Sequence, residues 1–585
     1  MGISKRQLVN TTKKMKNYTD EQISGVSQVS ANFMSENGYG KLRYYGGKFQ
    51  YYDETVMSWV DLEITGDNKY IMQMVPRSME TMIGICDYKN NCIKLKWKEP
   101  SNTILDNQVV CIVDGVKIVR KEGSSPTSET DGELVLDIKA KDFGAFSNKW
   151  FIDNTTNFVL GSTYYYHFYP YSDLGVMNQS SINEVSVLYK DYPIYGFKID
   201  QNESDPLSMI TYIGDNVVFT PAHMDYDNNV FNYGDWKNAW FIENCKPCML
   251  KYDGTVDYYL DPNDYTKKLD GTESDIANVN YEGNAMVGIP KVYWKIVDNG
   301  DDTANIYFSD KKVDDDFHCW SHIDNNGNEI DYCYMPIYNG IVINGKLRSL
   351  SLAQIPSSGY TAQQEIDYAK ANNVGDDVIW YTEVFCDRML INLLLILIAK
   401  STDTQTAFGF GCYNSTSTLY CSNDNDKGLF HGYGSNLPGN PLKVFGMNNW
   451  WGNIWRRIAG LILDSGVYKI KMTYGKNDGS TVDGYNLDGA GYIEINDSAP
   501  SGTSPGYINK MLFNAHGLIP ITTNGSSTTY YCDRLYFDNS IVGYGYVGGC
   551  YVDGGTGAMA TSISYPSSLT TQYTGACLSC KPLAS

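Results

Sequence analysis

Asn448-Asn-Trp-Trp-Gly-Asn-Ile-Trp-Arg-Arg-Ile-Ala-Gly-Leu-Ile-Leu-Asp464 puts three tryptophans, Trp450, Trp451 and Trp455, within six residues. Left in water together they would expose a larger apolar patch than soluble proteins tolerate, so they must pack. Gly452 lets the backbone pass close to a neighbouring segment, and Asn453 is suited to fixing a turn by bonding its own neighbours. The stretch therefore predicts a buried aromatic turn leading into a strand, around which the glycine- and tyrosine-rich remainder to Ser585 is arranged.

The composition bounds what that arrangement can do. At 585 residues the chain is long enough for three to four domains with sizeable cores. Hydrophobic residues at 42% against charged residues at 19% place it among folded chains. A net charge of −21 argues against a nucleic-acid binder held by phosphate contacts. The 48 tyrosines outnumber phenylalanine and tryptophan together, and tyrosine gives stiff, amphipathic contact area at recognition surfaces. Fourteen cysteines without a repeated spacing are too sparse for a disulfide scaffold and predict mostly reduced thiols, in keeping with assembly in a cytoplasm. No secretory signal peptide is expected from the amino-terminal residues, and Arg6 breaks the myristoylation pattern begun by Gly2. The apolar run Met389-Leu-Ile-Asn-Leu-Leu-Leu-Ile-Leu-Ile-Ala399 covers only about half a bilayer core, which predicts a helix buried on all sides and no membrane insertion.

Along the chain, residues 1–80 combine a basic segment with a strand-like stretch around a Gly46-Gly47 turn and are expected to form an attachment region ordered by neighbouring subunits. Residues 86–186 carry short strands between turn signals: Ile93, Leu95 and Trp97 in one, 109–113 and 117–121 next, an Asp131-Gly132 turn, then Gly161-Ser-Thr-Tyr-Tyr-Tyr-His-Phe-Tyr-Pro170. This pattern resembles a fibronectin type III β-sandwich, a common spacer, with alternate tyrosines of 164–169 facing inward. Residues 194–284 are taken as a connecting subdomain and 285–585 as the terminal domain.

Within those last two regions Ile194-Tyr-Gly-Phe-Lys-Ile-Asp200, Pro247-Cys-Met-Leu-Lys-Tyr-Asp-Gly254, Tyr259-Leu-Asp-Pro-Asn-Asp-Tyr265, Gly283-Asn-Ala-Met-Val-Gly-Ile-Pro290 and Leu347-Arg-Ser-Leu350 resemble segments of bacteriophage tail-fibre and minor structural proteins. The Gly452-Asn-Ile-Trp455 core motif is similar to the Gly-Asn-Val-Trp-Glu-Trp signature of the formylglycine-generating-enzyme-like branch of the C-type lectin fold, with Arg456 and Arg457 in place of Glu and Trp. That fold implies a first strand near 286–293 and two helices, one capped by Thr361-Ala-Gln-Gln364 and one over about 383–400, with no good helical periodicity beyond. The resulting fold class is multidomain and mainly β, with a fibronectin type III-like sandwich followed by an α+β, C-type-lectin-like domain.

The closing segments Val542-Gly-Tyr-Gly-Tyr-Val-Gly-Gly-Cys-Tyr-Val-Asp-Gly-Gly-Thr-Gly557 and Gly575-Ala-Cys-Leu-Ser-Cys-Lys-Pro582 resemble the terminal variable region of lectin-fold proteins diversified by retroelements, with Cys577 where that region carries Arg. The resemblance implies ligand contacts from long glycine-rich turns, here Tyr530, Tyr531, Tyr544, Tyr546, Tyr551, Asp553, Thr556 and Tyr565. The opposing reading fills the sheet core with half of these tyrosines.

Catalytic chemistry is sparse. Cys245-Lys-Pro-Cys248 and Cys577-Leu-Ser-Cys580 would need to meet to form a four-cysteine zinc site, and 577 with 580 is a tempting match for copper-binding cysteines, but Arg456 replaces the signature carboxylate. His318 and His322 lack the intervening glutamate of a zinc protease. Asp314-Asp-Asp316, Asp324-Asn-Asn-Gly-Asn-Glu-Ile-Asp331 and Asp424-Asn-Asp426 read as solvated turns, with a structural calcium ion the one cofactor they leave open. The expectation is a non-catalytic phage tail-fibre or tail-tip adhesin, made in the bacterial cytoplasm and carried on the virion. It would be homotrimeric, contacting other tail proteins and a host-surface glycan or protein. A glycan-active or formylglycine-generating enzyme and a purely structural fibre are the alternatives.

Overall fold

The computed structural model describes residues 75–584 except 106, 107, 497 and 555, and the backbone of four strands before them. Those strands, Gln28–Ser35, Gly38–Tyr45, Lys48–Asp53 and Ser58–Asp61, form an antiparallel meander. Tyr45 pairs with Lys48 across the expected Gly46-Gly47 turn, which itself lies outside the described residues. So does most of the expected attachment region, 1–80. The chain divides into two compact units, 1–192 and 193–585.

In the first unit two sheets share one core. One has the strand order Glu133–Lys139, Val113–Glu122, Thr163–Ser172, Glu184–Leu188, and the other Phe151–Asp153, Cys92–Lys98, Thr81–Asp87. The period of two decides the core: Ile93, Leu95 and Trp97 enter from one sheet and Tyr164, Tyr166 and Phe168 from the other, as the alternation predicts. Tyr166 donates to Asp153 (2.7 Å), which also accepts from the buried Arg120 and from Thr155, so the phenol and both charges inside the sandwich are satisfied. The first strand begins at Thr81, five residues before the expected boundary, and the two strands expected at 109–121 are Gln108–Cys111 and the ten-residue Val113–Glu122.

The second unit is held by the helix Phe385–Ala399, all fifteen of whose residues are buried. Leucine-rich sequence favours the helix, and apolar residues all round it require cover on every side. A seven-stranded sheet runs Asp264–Lys268, Val256–Asp261, Lys246–Lys251, Gly283–Pro290, Tyr332–Pro336, Leu578–Cys580, Trp380–Thr382. The closing strand of the chain thus inserts between two earlier ones. A second, larger sheet centres on Trp455–Asp464, which pairs antiparallel with Val542–Val547 and parallel with Thr574–Ala576.

The other expected helix is Ala362–Lys370, with a complete capping box between Thr361 and Gln364. Thr404–Phe408, capped by Asp403, is a short helix that the sequence reading missed, because five residues carry no periodicity. Phe197, Trp236, Phe241 and Met249, expected in a separate connecting subdomain, join the same core as the long helix and the tryptophan motif. Among the described residues no helix is long and apolar enough to cross a membrane.

Candidate functional site

Trp450 and Trp451 are fully buried, and each indole N–H is used: Trp450 donates to Asn392 Oδ1 of the long helix (2.9 Å) and Trp451 to the Gly409 carbonyl (3.0 Å). Gly452 sits at φ +72°, where an added Cβ would lie 2.7 Å from the Cys412 carbonyl oxygen, so this position requires glycine. The turn residue Asn453 does not bond its own neighbours as expected. Its amide donates to Asn339 (2.9 Å) and its carbonyl oxygen accepts from the Leu419 N–H (2.7 Å), joining segments more than 30 residues away.

Arg456 and Arg457 are buried ion-pair partners. Arg456 reaches Glu383 (3.1 Å), which also faces Arg388 (3.6 Å); both guanidinium groups lie against the Trp450 ring. Arg457 pairs with Glu365 (2.7 Å) and donates to the Tyr546 hydroxyl (3.1 Å). Burial pulls Arg388 down to about 9, and burial pushes Glu365 up to about 7 against the pull of Arg457. The carboxylate that pairs with Arg456 thus comes from the residues leading into the long helix.

This platform fixes the glycine-rich turns. The Gly452 and Tyr551 N–H groups donate to the Gly548 and Asn453 carbonyls, and Asp553 closes its own turn by accepting from the Cys550 N–H (3.0 Å) and thiol (3.1 Å). Farther along, Asp533 accepts from the N–H groups of Gly557 and of Met559 (2.7 Å), while Asn392 donates to the Ala558 carbonyl (2.7 Å). Burial raises the Asp533 carboxyl to about 7, with the two N–H groups opposing the rise.

The predicted contact residues separate into three groups. Tyr546, Asp553 and Tyr565 line one cleft of about 250 Å³, together with Trp455, Tyr536, Tyr573 and smaller side chains. Tyr551 stands beside it, its ring 5.8 Å from that of Tyr573. Tyr530 is half-buried away from the cleft, its N–H donating to the Ser204 carbonyl.

The third group corrects the expectation of surface display: Tyr531, Tyr544 and Thr556 are buried, and Tyr546, though it lines the cleft, is as buried as Tyr544. In Val542–Val547 glycines and tyrosines alternate, so Tyr544 and Tyr546 share a face and pack against Trp455 and Ile462. Gly543 and Gly545 serve the close approach of neighbouring strands, since a Cβ there would meet the Ile563 carbonyl and Leu461. Tyr531 is held by a hydrogen bond to Gln201 (2.9 Å). The Gly-Tyr-Gly-Tyr alternation carried this information; Tyr536 and Tyr573, which the sequence reading missed, lie in stretches without a periodic signal.

All fourteen cysteines are free thiols, and the described residues contain no group of three metal-ligating side chains. The C-x-x-C pairs meet only in part: Cys248 and Cys580 enter the same core, whereas Cys245 enters another and Cys577 sits by Asn339. Asp324 spends its oxygens on the N–H groups of Asn326, Asn328 and Ala584, which makes that acidic run a turn and an anchor for the carboxyl-terminal residues. His322 is buried against the Ile289 carbonyl, whereas His318 stacks on Trp320. No protein-family model matches this chain, and no curated protein matches it.

Proposed function

We propose that this chain is a receptor-binding protein of a bacteriophage tail fibre or tail tip, which recognises a host-surface glycan or protein without catalysis. The observation that carries the reading is the aromatic cleft beside Trp455, built from the carboxyl-terminal turns and set on a platform with every tryptophan N–H of its Trp450-Trp451 pair satisfied. Rigid aromatic side chains on a fixed scaffold bind with little ordering cost.

The strand order of the first unit supports a fibronectin type III-like spacer, with three strands on one sheet and four on the other in the expected succession. In the second unit, two helices after the opening strand and a closing strand that returns to the same sheet, one strand away from it, support a C-type-lectin-like domain of the retroelement-diversified kind. On this reading the amino-terminal region docks to other tail proteins, and a homotrimer multiplies a modest single-site affinity.

Fluorescently labelled full-length protein is to be scored for adhesion to a panel of intact bacterial strains. Adhesion to a subset of strains is expected, with at least a tenfold loss for Tyr565→Ala and little change between low and moderate salt. Adhesion indifferent to Tyr565→Ala, or adhesion to no strain, overturns the proposal.

A further inference from the structure

We infer that the cleft beside Trp455 takes an organic cation, a quaternary ammonium head of the choline type; this rests on reading the cleft as the recognition site. Five aromatic rings line it, those of Trp455, Tyr536, Tyr546, Tyr565 and Tyr573, and among the described residues Asp553 is the only charged side chain in its lining. A quaternary ammonium has no hydrogen to donate, so it is held by the negative faces of aromatic rings and by a nearby carboxylate.

The geometry suits that task. Trp455 and Tyr536 stand at 83° with ring centres 5.6 Å apart, and Tyr546 and Tyr565 at 85° and 6.4 Å, so within each pair the rings meet edge to face. Asp553 Oδ2 is engaged by Cys550, but Oδ1 receives only a long 3.5 Å contact from the Tyr536 hydroxyl.

The neighbouring cations are already engaged. Arg457, whose guanidinium lies over the Tyr546 ring, is paired with Glu365, and Arg534 is spent between the Tyr507 hydroxyl (3.2 Å), whose ring it covers, and the Tyr536 hydroxyl. An anionic ligand would therefore meet a carboxylate with no counter-charge in the lining. Two hydroxyls of the lining are already spent, that of Tyr546 between Arg457 and the Pro566 carbonyl and that of Thr574 between Arg457 and the Thr571 carbonyl. The net charge of −21 adds a long-range field that favours cations.

Choline chloride is to be titrated into the full chain by calorimetry, beside 3,3-dimethyl-1-butanol, its uncharged isostere, and beside glucose and acetate. Choline is expected to bind at least tenfold more tightly than the isostere, with Asp553→Asn and Tyr565→Ala each weakening it about tenfold. Equal affinity for choline and isostere, binding of glucose or acetate with choline silent, or binding of none of them overturns the inference. The two readings fail separately. Adhesion that depends on Tyr565 while choline is silent removes the cation and leaves the receptor-binding role; choline binding with adhesion indifferent to Tyr565→Ala does the reverse.

Discussion

Replacing Glu383 by Gln removes one negative charge from between two buried guanidinium groups and changes almost nothing else in shape. Arg456 stands 3.1 Å and Arg388 3.6 Å from the carboxylate, and all three side chains are at most 2% exposed. At an effective dielectric of about 20 each contact contributes about 5 kcal/mol of Coulomb attraction. Relief of the buried carboxylate's desolvation returns several kcal/mol, which leaves a net loss of about 3–5 kcal/mol, the usual cost of orphaning a buried charge. Urea unfolding of the full chain followed by tryptophan fluorescence measures it, and Trp450, against which both guanidinium groups lie, makes the emission sensitive to this site. Glu383→Gln with Arg456→Gln should recover part of the loss, because one of the two uncompensated cations is then gone. A Glu383→Gln stability within about 1 kcal/mol of the parent would refute the reasoning that this carboxylate neutralises the core beneath the tryptophan motif.

Two further outcomes follow from the same platform. Burial raises the Asp533 carboxyl from 3.8 to about 7, so between those values the folded chain keeps a proton that the unfolded chain has released. The contribution of Asp533 to stability therefore falls as pH rises from about 4 to about 7 and levels off above. Asp533→Asn should flatten that fall by up to about 4 kcal/mol across the window, read from unfolding midpoints at several pH values. Glu365 has the same sign but is present in both proteins and cancels; an unchanged pH profile would remove Asp533 from the account. Gly452→Ala places a Cβ against the Cys412 carbonyl in left-handed backbone and should lower stability by about 1–3 kcal/mol, visible as a depressed thermal midpoint, and a neutral effect would mean the turn relaxes freely.

Residues whose roles follow from local pattern were legible without coordinates. The capping box at Thr361 and Gln364 and the all-apolar run at 389–399 each state a helix in a few adjacent residues. The alternation of Ile93, Leu95 and Trp97 states an inward strand face, and three tryptophans in six residues state a buried turn. Hydrophobic periodicity is a property of neighbours in sequence, so the sequence by itself determined these elements and the β-rich character of the whole.

Long-range pairing is not written in any one segment. That the closing strand inserts between Tyr332–Pro336 and Trp380–Thr382, that Asn453 bonds Asn339 and Leu419, and that Arg456 finds Glu383 all depend on parts brought together only by the completed core. The candidate site shows the same division. Tyr546, Asp553 and Tyr565 were identifiable as a glycine-flanked aromatic and polar set, but Tyr531, Tyr544 and Thr556 of the same set are buried outside the cleft, while Tyr536 and Tyr573 arrive from other strands and turns to complete it. A tyrosine is as fit to fill a core as to face a partner, so its own chemistry cannot choose; tertiary packing decided which rings water can reach.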